Sequence, residues 1–262
     1  MKRTVLVIVA MSVAVHVLAA EKKADKLEAA EIVKKAMARN LFGLNGSANA
    51  TMVIHTAQGE TKTRDLAVKL MRNKAGLQRA LVTFRSPVEV KGTAFLVNER
   101  PDGLPDQYLF LPALKKVRRI AAGHATDSFM GSDFTYMDLS PMPQASEDQA
   151  SYKRLPDARV GGQPAYVIET RIKVAGSPYS KIVTSVHQKY LLPLKVEFFD
   201  PFGKLLKVAS IKKLKKFNGR LIPVTLEMKN MQKGSSTTLS LTELNLKAKL
   251  DEAMFTPEAM RD

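Results

Sequence analysis

Short segments in which apolar and polar residues alternate with a period of two occupy most of this chain of 262 residues. In the first segment, Ala48, Ala50 and Met52 alternate with Asn49 and Thr51. Turn formers separate the segments and no helical period lies between them, so we predict an antiparallel meander. We count about eleven strands: Ser47–His55, Thr61–Arg72, Leu77–Arg85, Thr93–Asn98, Gln107–Leu111, Ala165–Lys173, Ser180–Gln188, Leu194–Asp200, Lys204–Lys215, Ile222–Asn230 and Thr237–Leu246. So wide a sheet must curl into a barrel or half-barrel, or split into two layers.

Helices are predicted only near the two ends of this pattern. Asp25 can cap a helix of about four turns, because an apolar stripe with i, i+4 spacing follows it and Gly43 and Gly46 end the stripe. The stripe consists of Ala29, Val33, Met37 and Leu41. Residues 251–257 indicate a short closing turn of helix. The predicted fold is therefore mainly β with a few helices, and the N-terminal helix and a central loop are the only elements available to cover the sheet.

The first twenty residues predict export. Two basic residues precede an apolar run from Val5 to Val15, and small residues ending at Ala20 stand before the charged Glu21, which is typical of a secretory signal peptide. A membrane anchor is the alternative, but the run is shorter than the roughly 18 residues that spanning requires. We therefore expect a signal peptide over residues 1–20, cleaved near Ala20, and a single domain over residues 21–262.

Composition narrows the partners of such an exported chain. It has no cysteine, which excludes disulfides, thiolate metal sites and a lipid-modified N-terminal cysteine. Its net charge of +16 suits nucleic acid, an anionic membrane or an acidic protein face. Nucleic acid is not expected, because no helix-turn-helix, oligonucleotide-barrel or zinc pattern accompanies the charge.

The basic residues are densest in two clusters. One consists of Lys115, Lys116, Arg118 and Arg119, and the other of Lys212, Lys213, Lys215 and Lys216. Each cluster has two interpretations. It is a solvated strand face or edge that charge protects from aggregation, or it docks the protein on an anionic membrane or an acidic transporter.

The central segment Pro112–Leu139 is the most informative part of the chain for function. A basic, strand-like run passes there into a loop rich in Gly, Ser and Asp that carries Phe129, Met130, Phe134 and Tyr136. Because loops usually lie at the surface, bulky apolar groups in a loop cap something or contact a ligand. The loop is then either a static plug at the end of the sheet or a gate that opens for a ligand.

Further large apolar residues stand at strand positions, namely Phe84, Phe95, Tyr108, Phe110, Phe198 and Met228. Taken singly, each has core packing as its ordinary explanation. In a curled sheet with one covering helix, however, they also form the wall of the remaining space. We predict that these six residues and the four from the loop bind an apolar ligand. An acyl chain is a suitable ligand, because sheltering each CH₂ from water contributes about 0.8 kcal/mol.

Catalysis and metal binding have little support in the sequence. No His stands at metal-ligand or triad spacing, and no nucleophile-elbow, zincin or phosphate-loop motif is present. His124, Asp127 and Ser128 lie close in sequence, but catalytic groups must meet in space with a defined geometry. The spacing of Asp127, Asp133 and Asp138 does not follow a calcium loop. We therefore expect no enzyme activity, no metal and no cofactor.

Two stretches resemble the central motif of the LolA-like family of outer-membrane lipoprotein-sorting proteins. They are Leu111–Ile120 (LPALKKVRRI) and Asp127–Leu139 (DSFMGSDFTYMDL). The signal peptide, the first helix, the strand count and the closing Asp251–Pro257 are similar as well, so the resemblance covers the whole mature chain. No residue of this chain aligns with the arginine that locks the lid of the lipoprotein carrier.

The resemblance implies an unclosed antiparallel β-barrel whose hydrophobic cavity holds acyl chains in transit across the periplasm. It implies a carrier of a lipid or lipoprotein, and members of this branch are often associated with RND-type inner-membrane exporters. We expect the protein to be a monomer. The alternative is an envelope lipid sensor or adaptor of the same fold that regulates a membrane partner. A carrier must release its ligand, whereas a sensor retains it.

Overall fold

The computed structural model describes residues 27–37, 44–101, 104–140, 149–174, 177–217 and 220–261. One α-helix, α1 (Ala29–Met37), precedes the sheet. The strands are β1 (Gly46–His55), β2 (Thr61–Arg72), β3 (Gln78–Ser86), β4 (Ala94–Asn98), β5 (Asp106–Leu111), β6 (Lys116–Arg119), β7 (Ala150–Val160), β8 (Gln163–Ile172), β9 (Lys181–His187), β10 (Pro193–Phe199), β11 (Leu205–Phe217), β12 (Arg220–Asn230) and β13 (Ser235–Asn245). Short 3₁₀ turns span Pro112–Leu114, Ala122–His124, Phe129–Gly131, Glu252–Phe255 and Glu258–Arg261. The predicted signal peptide, Asp25, Leu41 and Gly43 lie outside the described residues.

The thirteen described strands form one antiparallel sheet. Its order is β6-β5-β4-β3-β2-β1-β13-β12-β11-β10-β9-β8-β7, so the first and last parts of the chain meet where β1 pairs with β13. Every other neighbour in the sheet is also a neighbour in sequence. β6 and β7 are the two edges, and the sheet does not close between them. This confirms the predicted fold class, a mainly β chain whose curved antiparallel sheet is an unclosed barrel.

The strand count was two short, and the two missing strands are the edges. β6 has no buried residue, and β7 is mostly exposed and contains Pro156 beside a register shift between Leu155 and Ala158. An edge strand pairs on one side only, so it tolerates charge and proline that a central strand does not. Neither edge therefore carries the apolar alternation by which the other strands were recognised.

The inner face of the sheet is the face covered by residues 120–140, which we call the crossing segment, and by α1. Every second residue of each strand, which we call the inner parity, lies on this face, as Ala50 and Met52 do on β1. α1 buries Ile32 and Ala36 against Tyr166, a residue of β8. The predicted stripe is thus shifted, because Ile32 and Ala36 are fully buried while Val33 and Met37 are only half-buried. In the described part of the chain, no helix has the length and apolar character needed to cross a membrane.

The outer face carries a separate apolar cluster under the C-terminal residues. Phe255 and Met260 pack there against Leu81 of β3 and Leu96 of β4. The predicted closing turn is present as one turn of 3₁₀ helix, which the Asp251 carboxylate caps by accepting a hydrogen bond from the amide of residue 253 at 3.0 Å. The C-terminus therefore stabilises the outside of the sheet and leaves the inner face to the crossing segment.

Candidate functional site

The crossing segment leaves edge strand β6 and crosses the inner face as an ordered hairpin. The amide of Phe129 donates to the carbonyl of Phe134 at 2.8 Å, and the hydroxyl of Ser132 donates to the carbonyl of Phe129 at 2.7 Å. The turn between them needs left-handed backbone at two residues, Met130 with φ 52° and Gly131 with φ 76°. Glycine adopts that conformation readily, but at a residue with a side chain it costs free energy that contacts must offset.

Phe129 fills one half of the inner face. Its side chain is 1% exposed, and its ring centre lies 5.8 Å from that of Phe84, 5.1 Å from that of Phe95 and 5.5 Å from that of Tyr136. These tilted and edge-on arrangements are the favourable ones for aromatic pairs. The crossing segment thereby joins the core formed by β1 to β5 and β12 to β13.

Phe134 fills the other half. It packs with Tyr179, Phe198 and Met228 on the inner face of the second half of the sheet. The rings of Tyr179 and Phe198 lie 5.0 Å apart. One hairpin therefore inserts an aromatic side chain into each half of the curved sheet.

A cavity of about 100 Å³ remains between these two inserted rings. Its wall is almost wholly apolar and consists of Met52, Leu66, Val68, Leu70, Ala80, Val82, Phe95, Val97, Phe129, Phe134, Asp138, Leu139, Leu226, Leu239 and Leu241. Sites for drug-sized ligands measure roughly 300–1,000 Å³, so an acyl chain does not fit unless the crossing segment moves. A larger, open depression of about 590 Å³ lies on the outer side near residues 249–254, but charged and polar residues form most of its lining.

Polar side chains of the sheet hold the crossing segment in place. Arg64 of β2 donates a hydrogen bond to the carbonyl of Met130, and its guanidinium lies 5.8 Å from the ring centre of Phe84. Partial burial lowers the pKa of Arg64, which remains far above neutrality. Gln107 of β5 donates to the carbonyl of Tyr136 at 3.0 Å. Both ties reach backbone carbonyls, so they fix the path of the segment.

Two carboxylates of the segment make the remaining ties. Asp133 accepts hydrogen bonds from Ser235 at 2.5 Å and from Thr237 at 2.7 Å, both on β13. Asp138 pairs with Lys207 of β11 at 2.5 Å, and this pair is buried. Burial raises the pKa of the Tyr179 phenol far above its ordinary value, and the charge of Asp138 adds to this rise. The tyrosine therefore stays protonated beside the carboxylate.

Sequence reasoning missed Arg64, Gln107 and Lys207. Each is a polar residue in phase with the apolar side of its strand, as Arg64 is with Leu66 and Val68. A polar or charged residue on the buried parity of an alternating strand is the signal that would have identified them. The sequence analysis placed them only as members of the strands Thr61–Arg72, Gln107–Leu111 and Lys204–Lys215.

Eight of the ten predicted ligand-binding residues lie on the inner face or in the crossing segment. Phe95, Phe129 and Phe134 line the cavity itself, and Met130 packs against the cluster around Phe129. The others among the eight are Phe84, Tyr136, Phe198 and Met228.

Tyr108 and Phe110 lie elsewhere. They pack on the outer face with the cluster around Phe255, because β5 directs its other parity, Gln107 and Leu109, inward. They are therefore removed from the proposed ligand site.

The two basic clusters lie on different strands. Lys115 is in the turn before edge strand β6, on which Lys116, Arg118 and Arg119 are exposed, in accord with charge protection of an edge. The other cluster, Lys212, Lys213, Lys215 and Lys216, is exposed on the far half of β11. Seven strands separate β6 from β11 in the sheet order. Two of these eight cations have carboxylate partners among the described residues, Arg119 with Asp106 at 2.5 Å and Lys212 with Glu227 at 2.9 Å.

The His, Asp and Ser near the start of the segment do not form a relay. His124 and Asp127 make an exposed contact of 2.8 Å, but the hydroxyl of Ser128 donates to the carbonyl of Ser132. Asp133 and Asp138 bind the sheet, as described above. Among the described residues, no three His, Asp or Glu side chains are grouped closely enough to hold a metal ion.

One end of the sheet carries most of the exposed apolar side chains. Successive turns of a meander alternate between its two ends. Five of the six large exposed apolar residues of the described chain lie in turns at the same end, which we call the apolar rim: Val88, Leu114, Val174, Phe202 and Met231. Phe202 is 95% exposed. A lysine stands in each of these turns: Lys91, Lys115, Lys173, Lys204 and Lys233.

The chain has relatives among known protein families and solved structures. A family model described as "uncharacterized protein" matches residues 76–262. The comparison with curated proteins gives no significant match.

Among solved structures, an outer-membrane lipoprotein-sorting protein domain from Vibrio parahaemolyticus is 32% identical, with a TM-score of 0.81, and the match covers 91% of this chain and all of that chain. A DUF1329 family protein from Desulfovibrio piger is 25% identical, with a TM-score of 0.78 and coverage of 87% and 95%. A LolA superfamily protein from Nitrosomonas europaea shares the fold at 18% identity, with a TM-score of 0.68 and coverage of 89% and 99%. The chain therefore belongs to the family of outer-membrane lipoprotein-sorting protein domains, with a LolA-like fold.

Proposed function

We propose that the protein is a periplasmic carrier that shelters the acyl chains of a lipid or lipoprotein on the inner face of its sheet during transfer between envelope membranes. The observation that carries this proposal is the way in which the inner face is filled. An unclosed apolar sheet is plugged by two aromatic side chains, Phe129 and Phe134, of the crossing segment that follows edge strand β6. In this view the structure is the closed, unloaded form.

The energetics favour an exchange between plug and ligand. Phe129 and Phe134 shelter the apolar wall from water in the closed form, and an acyl chain would shelter the same wall in the loaded form. Each buried CH₂ contributes about 0.8 kcal/mol, so a long chain compensates for the lost aromatic contacts. The ties that hold the segment are a few hydrogen bonds, whose groups can be satisfied by water when the segment moves outward, and one buried ion pair, Lys207 with Asp138.

The relatives support the ligand class. One similar structure is named for outer-membrane lipoprotein sorting, which is the basis for proposing an acylated ligand in the periplasm. The gate proper is the hairpin at residues 128–135, whose aromatic groups occupy the space that a ligand would take. Loading and release are proposed to occur at an inner-membrane exporter of the RND type or at an anionic membrane surface.

The proposal is tested by narrowing the cavity without changing the rest of the sheet. Val82 lines the cavity, whereas Val208 of β11 lies on the outer face. We expect the wild type to take up the neutral apolar dye N-phenyl-1-naphthylamine saturably. Val82→Phe should raise the apparent Kd about tenfold, a change of about 1.4 kcal/mol. The matched variant Val208→Phe should leave the Kd within about twofold of the wild type.

Two results would reject the carrier. The first is absence of saturable dye uptake together with native mass spectra of the periplasmic protein that show no apolar ligand. The second is an equal effect of both phenylalanine variants, which would place dye binding outside the cavity. Transfer to acceptor vesicles separates the two functional alternatives, because a sensor would retain its ligand when vesicles are added.

A further inference from the structure

Lys207 is a buried charge on the inner face of the sheet, beside the apolar cluster of Tyr179, Phe198 and Met228. Its side chain is 3% exposed, and Nζ lies 2.5 Å from the carboxylate of Asp138, which is itself 6% exposed. The ammonium lies 5.1 Å from the ring centre of Phe198 and 5.3 Å from that of Tyr179. Taking an ion pair out of water is costly, and well-packed apolar side chains often stabilise such a position as well or better. The stability of the fold therefore does not explain this charge.

The two members of the pair belong to different parts of the molecule, the sheet and the crossing segment, which move apart when the proposed carrier opens. Lys207 is fixed in β11, while Asp138 is in the crossing segment and lines the cavity. When the segment moves to admit an acyl chain, Lys207 loses its carboxylate partner. An unpaired ammonium in an apolar pocket is strongly unfavourable. A ligand that brings its own anionic oxygen removes this penalty, whereas a purely apolar ligand does not.

We propose that Lys207 is the binding site for the anionic group of an acidic amphiphile, a carboxylate or a phosphate, which replaces the Asp138 carboxylate while the acyl chain occupies the enlarged cavity. This inference rests on the proposed carrier function and specifies the chemistry of its ligand. Asp138 occupies the place of the anion in the closed form.

The surroundings of Lys207 suit such a group. An ammonium is a compact charge that donates hydrogen bonds to a carboxylate or a phosphate without a fixed geometry. The ring of Tyr179 lies beside the ammonium, at 5.3 Å from Nζ, so its phenol is placed to act as a second donor for the ligand when Asp138 leaves. Phe198 and Met228 continue the apolar wall beside the charge, so head group and chain are bound side by side.

The experiment measures preference for charge at equal chain length. Displacement of N-phenyl-1-naphthylamine gives the Kd of palmitic acid and of its methyl ester, and a second arm compares dipalmitoyl phosphatidic acid with dipalmitoylglycerol. We expect the wild type to prefer an acid over its neutral counterpart by about tenfold or more, since hydrogen bonds to charged groups are worth roughly that factor. Preference in the first arm identifies a free carboxylate, and preference in the second identifies a lipid phosphate.

Three variants assign the preference to Lys207. In the double variant Lys207→Met with Asp138→Leu, no unpaired charge remains, so the protein is expected to fold, and the preference should fall to about one. Asp138→Asn removes the internal competitor and should tighten acid binding more than ester binding. The control Lys195→Met with Glu197→Leu removes a pair of 2.7 Å on the other parity of β10, and it should keep the preference.

The outcomes separate failure of the anion site at Lys207 from failure of the carrier function. If the dye binds saturably to the wild type but neither acid is preferred, the anion site is rejected while the carrier stands. A preference that survives in the double variant also rejects it. If the dye does not bind at all, the carrier function fails and the anion site fails with it.

Discussion

At the scale of single residues, Arg64 has the role most specific to this structure. It is a half-buried arginine on the inner parity of β2, and its hydrogen bond reaches the carbonyl of Met130, where the segment turns with left-handed backbone. From this position Arg64 holds the turn of the crossing segment against the sheet.

Replacing Arg64 should therefore favour the open form. Arg64→Met removes the hydrogen bond to the carbonyl of Met130 but keeps a long, unbranched side chain at this position. We expect N-phenyl-1-naphthylamine to be released about tenfold faster, as measured by stopped-flow fluorescence. The matched control is Arg72→Met, which also removes an arginine–carbonyl bond, to Gly76 at 2.8 Å, far from the segment. Equal release rates in the wild type and Arg64→Met would show that Arg64 has no part in closure.

At the scale of elements, the crossing segment is either a static plug that belongs permanently to the core or a gate that opens for a ligand. Its hairpin is ordered and its aromatic side chains are buried, as a static plug would be. Its ties to the sheet are polar and localised, as a gate requires. Burial alone does not separate these alternatives, because both predict the same closed structure.

A reversible staple separates them. Asp133 and Thr237 touch, at 2.7 Å between side-chain oxygens, and the chain has no native cysteine. Asp133→Cys with Thr237→Cys should form a disulfide that abolishes dye uptake when oxidised and restores it when reduced. The control pair Thr225→Cys with Ser240→Cys joins β12 to β13 at neighbouring positions without touching the segment, so its oxidation should leave uptake unchanged. Full uptake by the oxidised 133–237 pair would mean that the segment does not open.

At the scale of the whole molecule, the apolar rim and the net charge of +16 together favour contact with an anionic membrane surface. Phe202 and Met231 project at this rim, and the turns that carry them are joined by a hydrogen bond from Gln232 to Asp200 at 2.8 Å. Lysines in the same turns suit anionic lipid head groups. Lys115 belongs to this rim, whereas Lys212–Lys216 extends towards the opposite end of β11.

Vesicle binding should therefore depend on the rim. We expect Phe202→Ser with Met231→Ser to weaken co-sedimentation with phosphatidylglycerol vesicles, and added salt to weaken it further, because exposed charges are screened beyond about 8 Å at physiological ionic strength. Reversing Lys115, Lys116 and Arg118 to Glu should have a larger effect than reversing Lys212, Lys213 and Lys215. Binding that is insensitive to salt would reject electrostatic docking, and an equal effect of the two reversals would reject docking by the rim.

Several parts of the fold and site were predictable because they depend on local sequence. Alternation identified eleven of the thirteen strands, and in β1 it also identified the buried parity, Ala48 to Ile54. The crossing segment was recognisable because bulky residues such as Phe129 and Phe134 are unusual among turn formers. Edge strand β7 escaped, and β6 was identified only as a basic, strand-like run outside the count, because a strand with one partner needs no apolar period.

The sequence by itself determined that the chain forms one wide antiparallel meander, and that its central segment carries apolar groups in need of a partner. Only the tertiary structure decided which face each strand residue occupies: Phe95 faces the cavity, while Phe110 on the neighbouring strand faces the C-terminal cluster. It also decided that β1 pairs with β13, which places β6 and β7 at the open edges. The pairing of Lys207 with Asp138 required both halves of the sheet and the segment between them. The physical reason is that alternation is a property of neighbours in sequence, whereas the direction of curvature, and hence which parity becomes the inside, depends on contacts between residues far apart in the chain.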